Sequence, residues 1–192
     1  MVSNPLLQLN DISLRIASKQ IFKKLKIIVN NGERLALVGR NGSGKSTLLN
    51  YLIGSSGDAF VANRLFATLD PLTRKMQLAG GEKIYLSETV GFVRNIQHHI
   101  VEAFKTTLDV VIDADLLVHV VDGSKNAPDK DLSAVRSVLR DIGAKDIPEL
   151  IVFNKMDQAD PLTYLLDYPN SVCVSAKTGE GIEKMMDFGI DF

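Results

Sequence analysis

What this chain has little of narrows it first. One cysteine, Cys173, in 192 residues rules out an internal disulfide and suits a reducing compartment. No apolar run approaches the roughly 20 residues needed to span a bilayer, and the start "MVSNPLLQLN" lacks the charged-then-apolar layout of a secretion signal. A cytoplasmic location is therefore expected, without a membrane partner. An excess of one charge is missing too. The 22 Lys and Arg face 23 Asp and Glu, a formal net charge of -1, so a globally basic nucleic-acid surface is excluded and only local patches remain open. No DNA partner is expected. Internal repeats and low-complexity tracts are absent as well. What remains is 45% hydrophobic and 23% charged, an ordinary globular composition, with length for one well-cored domain and a small appendage.

The order of patterns along the chain gives the fold class. "LLQLNDISLRI" and "FKKLKIIVNNGE" alternate with period 2, the second closing on Asn31-Gly32, and predict an N-terminal antiparallel strand pair. "RLALVG" is a short apolar strand feeding a glycine-rich loop, and Lys45 to Ile53 carries the apolar stripe of a helix. From Ser55 to Pro71 the composition reads as loop. "RKMQLAGGEKIYLSE" predicts a hairpin turning at Gly80-Gly81, and a helix is expected from about Ile96 to Ile112. Strand and helix then alternate through "DLLVHVVD", "DKDLSAVRSVLRDIG", "ELIVFNKMD", a short helix and "SVCVSAK". Such alternation implies an α/β fold with a mostly parallel sheet covered by helices.

Gly39 to Ser46, "GRNGSGKS", matches G-x-x-x-x-G-K-S between a predicted strand and a predicted helix. Glycines let backbone N–H groups turn inward as an anion nest, and the helix adds its positive end. Asn41, Gly42, Ser43, Gly44, Lys45, Ser46 and Thr47 are the candidate phosphate contacts, with Lys45 reaching the β- and γ-phosphates and Ser46 ligating Mg²⁺. "NKMD", Asn154 to Asp157, closes an apolar strand. Asp157 there can accept hydrogen bonds from guanine N1–H and the 2-amino group, donors that adenine lacks, so adenine would leave the carboxylate unpaired. Asn154 would brace the loop, the Lys155 stem would lie along the base plane, and "SAK" (Ser175, Ala176, Lys177) would offer the Ala176 N–H to guanine O6.

"ANRLFATLDPLTRK", "LSETVGFVRNIQHHIVEAFKTTLD", "ADLLVHVVD", "NKMD" and "SAKTGEGI" together resemble the HflX family of Ras-like GTPases over about Asp58 to Ile182. The resemblance implies a P-loop NTPase of three-layer α/β/α Ras-like type and Mg²⁺-dependent GTP hydrolysis coupled to ribosome binding and splitting. It makes Thr68 in "FATLD" the first-switch threonine at Mg²⁺ and the γ-phosphate, within a switch spanning about Phe60 to Arg74, with Thr73 the fallback. The second switch runs from about Glu88 to His98 and starts with "ETVGF", where D-x-x-G is usual. Glu88 then holds Mg²⁺ with one methylene more than aspartate, and the Gly91 N–H meets the γ-phosphate. Phe92 stands where a water-orienting glutamine is common, which implies slow intrinsic turnover. Many relatives use an asparagine at the fourth place of the phosphate loop for K⁺; Gly42 there, with Asn41 one residue early, speaks against K⁺ stimulation.

Residues up to Gly54 resemble instead the front of an ABC-type ATPase. The rest of that family's pattern is absent: no "LSGGQ" occurs, "SLRIASK" lacks the adenine-stacking aromatic, and Gly123 follows Asp122 where a catalytic glutamate would stand. The expectation is a hybrid, an ABC-like extension over 1–33 and a G domain over 34–192, joined in resemblance near Gly54. Its reading is a slow GTPase, with a nucleotide-sensing module or an ABC-like or dual-specificity ATPase as alternatives. Ribosome binding is expected to be weak, since the sequence carries no equivalent of the family's N-terminal domain. Among the other candidates, the HflX resemblance puts His98 and His99 in the switch helix, either against a partner or simply facing solvent; His119 reads as a satisfied core histidine, Cys173 as a small strand residue, and Lys23, Lys24 and Lys26 as the wet face of a strand.

Overall fold

The computed structural model describes residues 7–12, 15–16, 19–20, 25–29, 31–55, 72–77, 83–89, 91, 105–125, 127–160, 164, 167–168, 171–182 and 185. β1 (Leu7–Ile12) pairs antiparallel with β4 (Leu25–Val29), the expected N-terminal strand pair, with an irregularity between Leu9 and Ile12. The first strand ends sooner than its alternation suggested. The chain turns instead through a two-residue pairing of β2 (Arg15–Ile16) with β3 (Lys19–Gln20).

Six further strands form the main sheet: β5 (Arg34–Val38), β6 (Leu72–Gln77), β7 (Lys83–Glu88), β8 (Leu116–Asp122), β9 (Glu149–Asn154) and β10 (Ser171–Cys173). Their order is β10-β9-β8-β5-β7-β6, parallel throughout except for β6, which pairs antiparallel with β7 as the predicted hairpin. β5 and β8 are apolar almost end to end because both faces of a parallel sheet are covered. Leu35 and Leu37 pack to one face with Leu48, Leu49, Leu52 and Ile53 of α1 (Lys45–Ser55). Ala36 and Val38 pack to the other with Leu108 and Val111 of α2 (Lys105–Ile112) and Val135 and Leu139 of α3 (Pro128–Asp141). The result is three layers, α/β/α, with each buried Leu or Val contributing about 1.5–3 kcal/mol.

α3 shows how local sequence sets an element. Pro128 opens it, and Asp129 and Asp131 face the positive end of its dipole. Gly143, at φ 82°, closes it: the Gly143 N–H donates to Arg140 O and the Ala144 N–H to Leu139 O at 2.8 Å, the paired bonds of a Schellman cap. Of the helix expected from Ile96, only the portion from Lys105 lies within the described residues, and it ends at Ile112 as expected. The Ser55–Pro71 loop and Gly80-Gly81 lie outside the described residues, apart from Ser55, the last residue of α1.

This topology positions the site. After β5 the chain leaves to one side for β7 and β6, and later returns on the other side as β8. The loop at the carboxyl end of β5 therefore opens at the point where strand order reverses, the usual place for a ligand crevice in such sheets.

Candidate nucleotide-binding site

The loop between β5 and α1 takes a shape that only glycine allows. Gly42 and Gly44 have φ of 81° and 94°, and a side chain at Gly44 would strike the Asn154 carboxamide. Gly39 lies so close to the Val120 carbonyl that no Cβ fits between them. Lys45 folds back over the loop, its Nζ donating to Gly39 O at 3.0 Å and Arg40 O at 3.2 Å. Burial pushes its ammonium pKa down, and the nearby Glu88 carboxylate opposes part of that shift. Phosphate oxygens would relieve the same desolvation. Ser43 is buried, and its Oγ has no hydrogen-bond partner among the described residues, whereas Thr47 is exposed.

At the start of α1 the Ser46 Oγ donates to Glu88 Oε1 at 2.6 Å. The longer carboxylate therefore reaches the serine that the sequence pairs with it at Mg²⁺. Two hard oxygens this close suit neighbouring corners of an octahedral Mg²⁺ shell, whose bonds are about 2.0–2.1 Å, with phosphate and water oxygens completing it. Ser46 and Glu88 are two oxygen donors that would meet a Mg²⁺ carried by a nucleotide; among the described residues no group of three or more His, Cys, Asp or Glu could hold a metal. Just after β7, Thr89 is held by donating from its N–H (3.2 Å) and Oγ1 (2.9 Å) to Leu37 O. Beyond it Gly91 sits against Asn41, whose carboxamide and backbone N fill the space a Cβ would need. Thr73 is a strand residue in β6, its Oγ1 2.8 Å from Ser87 Oγ across the hairpin. Thr68, Phe92, His98 and His99 lie outside the described residues.

The base-side motifs converge through Asn154, a fully buried residue at the end of β9. Its Nδ2 donates to Ser43 O at 2.9 Å, and its Oδ1 accepts from the Ala176 N–H at 2.9 Å. One side chain thus ties the phosphate loop to the "NKMD" and "SAK" loops. The Ala176 N–H is engaged by this brace, so a guanine O6 would share it. Asp157 is exposed, and its carboxylate accepts from the Ser175 Oγ at 2.8 Å, which holds its pKa below the ordinary range. Ser175 Oγ also receives the Thr178 N–H at 3.2 Å. Lys155 adopts a left-handed conformation (φ 68°), and Lys177 is exposed.

Two further residues of this neighbourhood escaped the sequence reading. Asp122, noted in the sequence only as the residue before Gly123 in the comparison with ABC-type ATPases, accepts from Lys155 Nζ at 2.8 Å and pairs with Lys125 at 3.3 Å. It faces the base-side loop, while Ser46 is met by Glu88. Its signal was visible as a carboxylate ending "LLVHVVD", but its partner lies 33 residues on. Arg40 pairs with the largely buried Asp131 of α3 and anchors the first turn of the phosphate loop, a contact 91 residues apart with no local signature. A cavity of about 200 Å³ lies at the opposite ends of the strands, lined by Leu117, Arg136, Lys145 and Glu149 among others, and shares no residue with the site.

Comparison with known proteins agrees with this geometry. A family model described as 50S ribosome-binding GTPase matches residues 34–155. The chain is similar to the GTPase HflX of Lacrimispora saccharolytica (42% identity over 82% of this chain and 37% of the relative) and of Caldanaerobacter subterraneus (43% over 80% and 35%). It spans just over a third of the length of these curated relatives. Among solved structures it is similar to a GTP-binding protein from Sulfolobus solfataricus in complex with GDP, at 27% identity and a TM-score of 0.64 over 81% of this chain and 50% of that one. The FeoB G domain of Methanococcus jannaschii shares the fold, with 23% identity and a TM-score of 0.57 over 82% of this chain and 94% of that one.

Proposed function

The chain belongs to the family of 50S ribosome-binding GTPases, and from that premise we propose that it binds GTP and GDP with Mg²⁺ and hydrolyses GTP slowly. The observation that carries this reading is the double hydrogen bond of Asn154, which holds phosphate loop and guanine motifs at one crevice. The backbone N–H groups of Asn41 to Thr47 and the start of α1 bind the phosphate chain, and Lys45 neutralises it. Asp157, held by Ser175, reads the N1–H and 2-amino edge of guanine, with Lys177 beside it. Ser46 and Glu88 hold Mg²⁺, joined by Thr68 from the first switch, and the ion when bound supplies charge neutralisation at the β- and γ-phosphates. The Gly91 N–H senses the γ-phosphate, and Phe92 cannot orient water, which keeps the rate low.

The finer architecture is also proposed: an extension over 1–33 resembling an ABC ATPase front, supported by the separate β1–β4 pairing, and a G domain over 34–192. Engagement of the large ribosomal subunit through the G domain alone is weak. No helix among the described residues is long and apolar enough to cross a membrane.

The test is phosphate release from GTP at a series of Mg²⁺ concentrations, in the native chain and in Glu88→Gln. The reading expects slow release from the native chain, and about tenfold more Mg²⁺ for half-maximal rate in the variant. Release no faster than from Lys45→Ala would remove hydrolysis and leave a nucleotide-sensing module.

A further inference from the structure

We propose that Asp122 is a positioning residue for the guanine base, acting through Lys155. The inference rests on the guanine-nucleotide reading above. Asp122 ends β8 in register with Asn154 of β9 and is only 4% exposed. All of its acceptor capacity is used: Oδ1 takes the Ser124 N–H at 3.1 Å and Oγ at 2.6 Å, and Oδ2 takes Lys155 Nζ at 2.8 Å beside Lys125 Nζ at 3.3 Å. Burial alone would push its carboxyl pKa up; the Lys155 and Ser124 donors outweigh that and hold it down, so it stays ionised.

Lys155 is the one non-glycine residue with positive φ among the described residues. Its backbone is therefore held in an unfavourable well at one end, and its ammonium is held on Asp122 at the other. A lysine pinned at both ends keeps its methylene stem in one course, ready to lie flat against a planar base instead of sampling many rotamers.

The platform under this pair is itself locked. The Gly123 N–H donates to Asn154 O at 2.8 Å, and the end of the Met156 side chain packs against Gly123 where a Cβ would stand. The Tyr164 hydroxyl hydrogen-bonds Gly123 O at 2.6 Å and lies 3.1 Å from Lys125 O, while its ring stacks on Phe153 at 4.5 Å. The contacts of Asp122 are to Ser124, Lys125 and Lys155, so its effect on a bound base passes through the lysine. A buried ion pair of this kind is a poor source of stability and a good source of a fixed geometry.

The experiment is displacement of fluorescent GDP from the full chain in Asp122→Ala, Asp122→Asn, Lys155→Ala and the double variant Asp122→Ala/Lys155→Ala, with GDP, inosine diphosphate and inorganic tripolyphosphate as competitors. Asp122→Ala is expected to weaken GDP by about ten- to a hundredfold, the range of a lost charge-assisted hydrogen bond, and inosine diphosphate by the same factor. Asp122→Asn, which keeps an acceptor without the charge, weakens GDP less, by about three- to tenfold. The double variant binds GDP no worse than Lys155→Ala, since both changes remove one interaction. Tripolyphosphate, which meets only the phosphate loop, competes as in the native chain. Unchanged GDP affinity in Asp122→Ala, additive losses in the double variant, or an equal loss for tripolyphosphate would each overturn the proposal. Should Asp122→Ala not fold, Asp122→Asn combined with Lys155→Ala forms the same cycle and is read in the same way. A native chain that binds ADP as tightly as GDP would defeat the guanine reading instead, a separable result.

Discussion

At the scale of single residues, Asn154 concentrates more of the site than any catalytic group. Replacing it with alanine strands the buried Ser43 carbonyl and the Ala176 N–H together, at a cost of about 1–3 kcal/mol of stability. Guanine affinity should fall at least tenfold, because the two loops lose their common tie. Urea unfolding and GDP displacement on Asn154→Ala check both numbers, and a folded variant with native GDP affinity would contradict the bracing role. This residue was legible in the sequence because "NKMD" places an asparagine at the close of an apolar strand after a phosphate loop. Asp122 was equally visible as a letter yet not as a role, since what distinguishes it is a lysine brought across from the neighbouring strand. Arg40 and Asp131 show the same limit more strongly, because nothing local marks either as half of a pair.

At the scale of elements, strand and helix identity followed from apolar period. The order of strands did not, since crossovers of this length leave several sheets compatible with the same pattern. His119 shows how a polar residue survives in a buried strand. It is 1% exposed, and its Nδ1 meets Glu149 Oε1 at 2.6 Å, which accounts for the satisfied core histidine that the sequence suggested. Arg136 of α3 clamps the same carboxylate through Nε at 2.9 Å and Nη2 at 2.7 Å, so helix and sheet are joined through Glu149. Burial would raise the Glu149 pKa, but the His119 and Arg136 donors hold it at about 2. A carboxyl depressed in the folded state stabilises fully above its unfolded pKa of about 4.5 and loses that contribution as pH falls toward 2. Glu149→Gln should therefore be less stable than the native chain at pH 6, with the gap closing between about pH 4.5 and 2. Urea midpoints across that range test it, and a gap independent of pH would contradict the linkage. Cys173 in β10 is a different case: burial alone pushes its thiol up to about 12, as suits an unreactive strand residue.

At the scale of the whole molecule, strand order, phosphate loop and base-side loops all meet at the carboxyl end of the sheet, where the strand sequence reverses. Fold class and the "NKMD" and "SAK" loops were legible because they are written in short local strings. The convergence of those strings on Asn154 is tertiary and became visible only in the structure. Under the proposed reading, the hold of this G domain by itself on the large ribosomal subunit is weak. In sedimentation with large subunits at moderate salt, most of the protein should stay in the supernatant with either GTP or GDP, and full co-sedimentation would contradict that. The most direct measurement of the central claim is competition of fluorescent GDP, in Mg²⁺, by unlabelled GDP, GTP and ATP. The account predicts that the guanine nucleotides displace the label at least about a hundredfold better than ATP, because adenine leaves the Asp157 carboxylate without its donors. Equal displacement by ATP would mean that the base-side loops do not read the nucleotide held by the phosphate loop, and the account would be wrong at its centre.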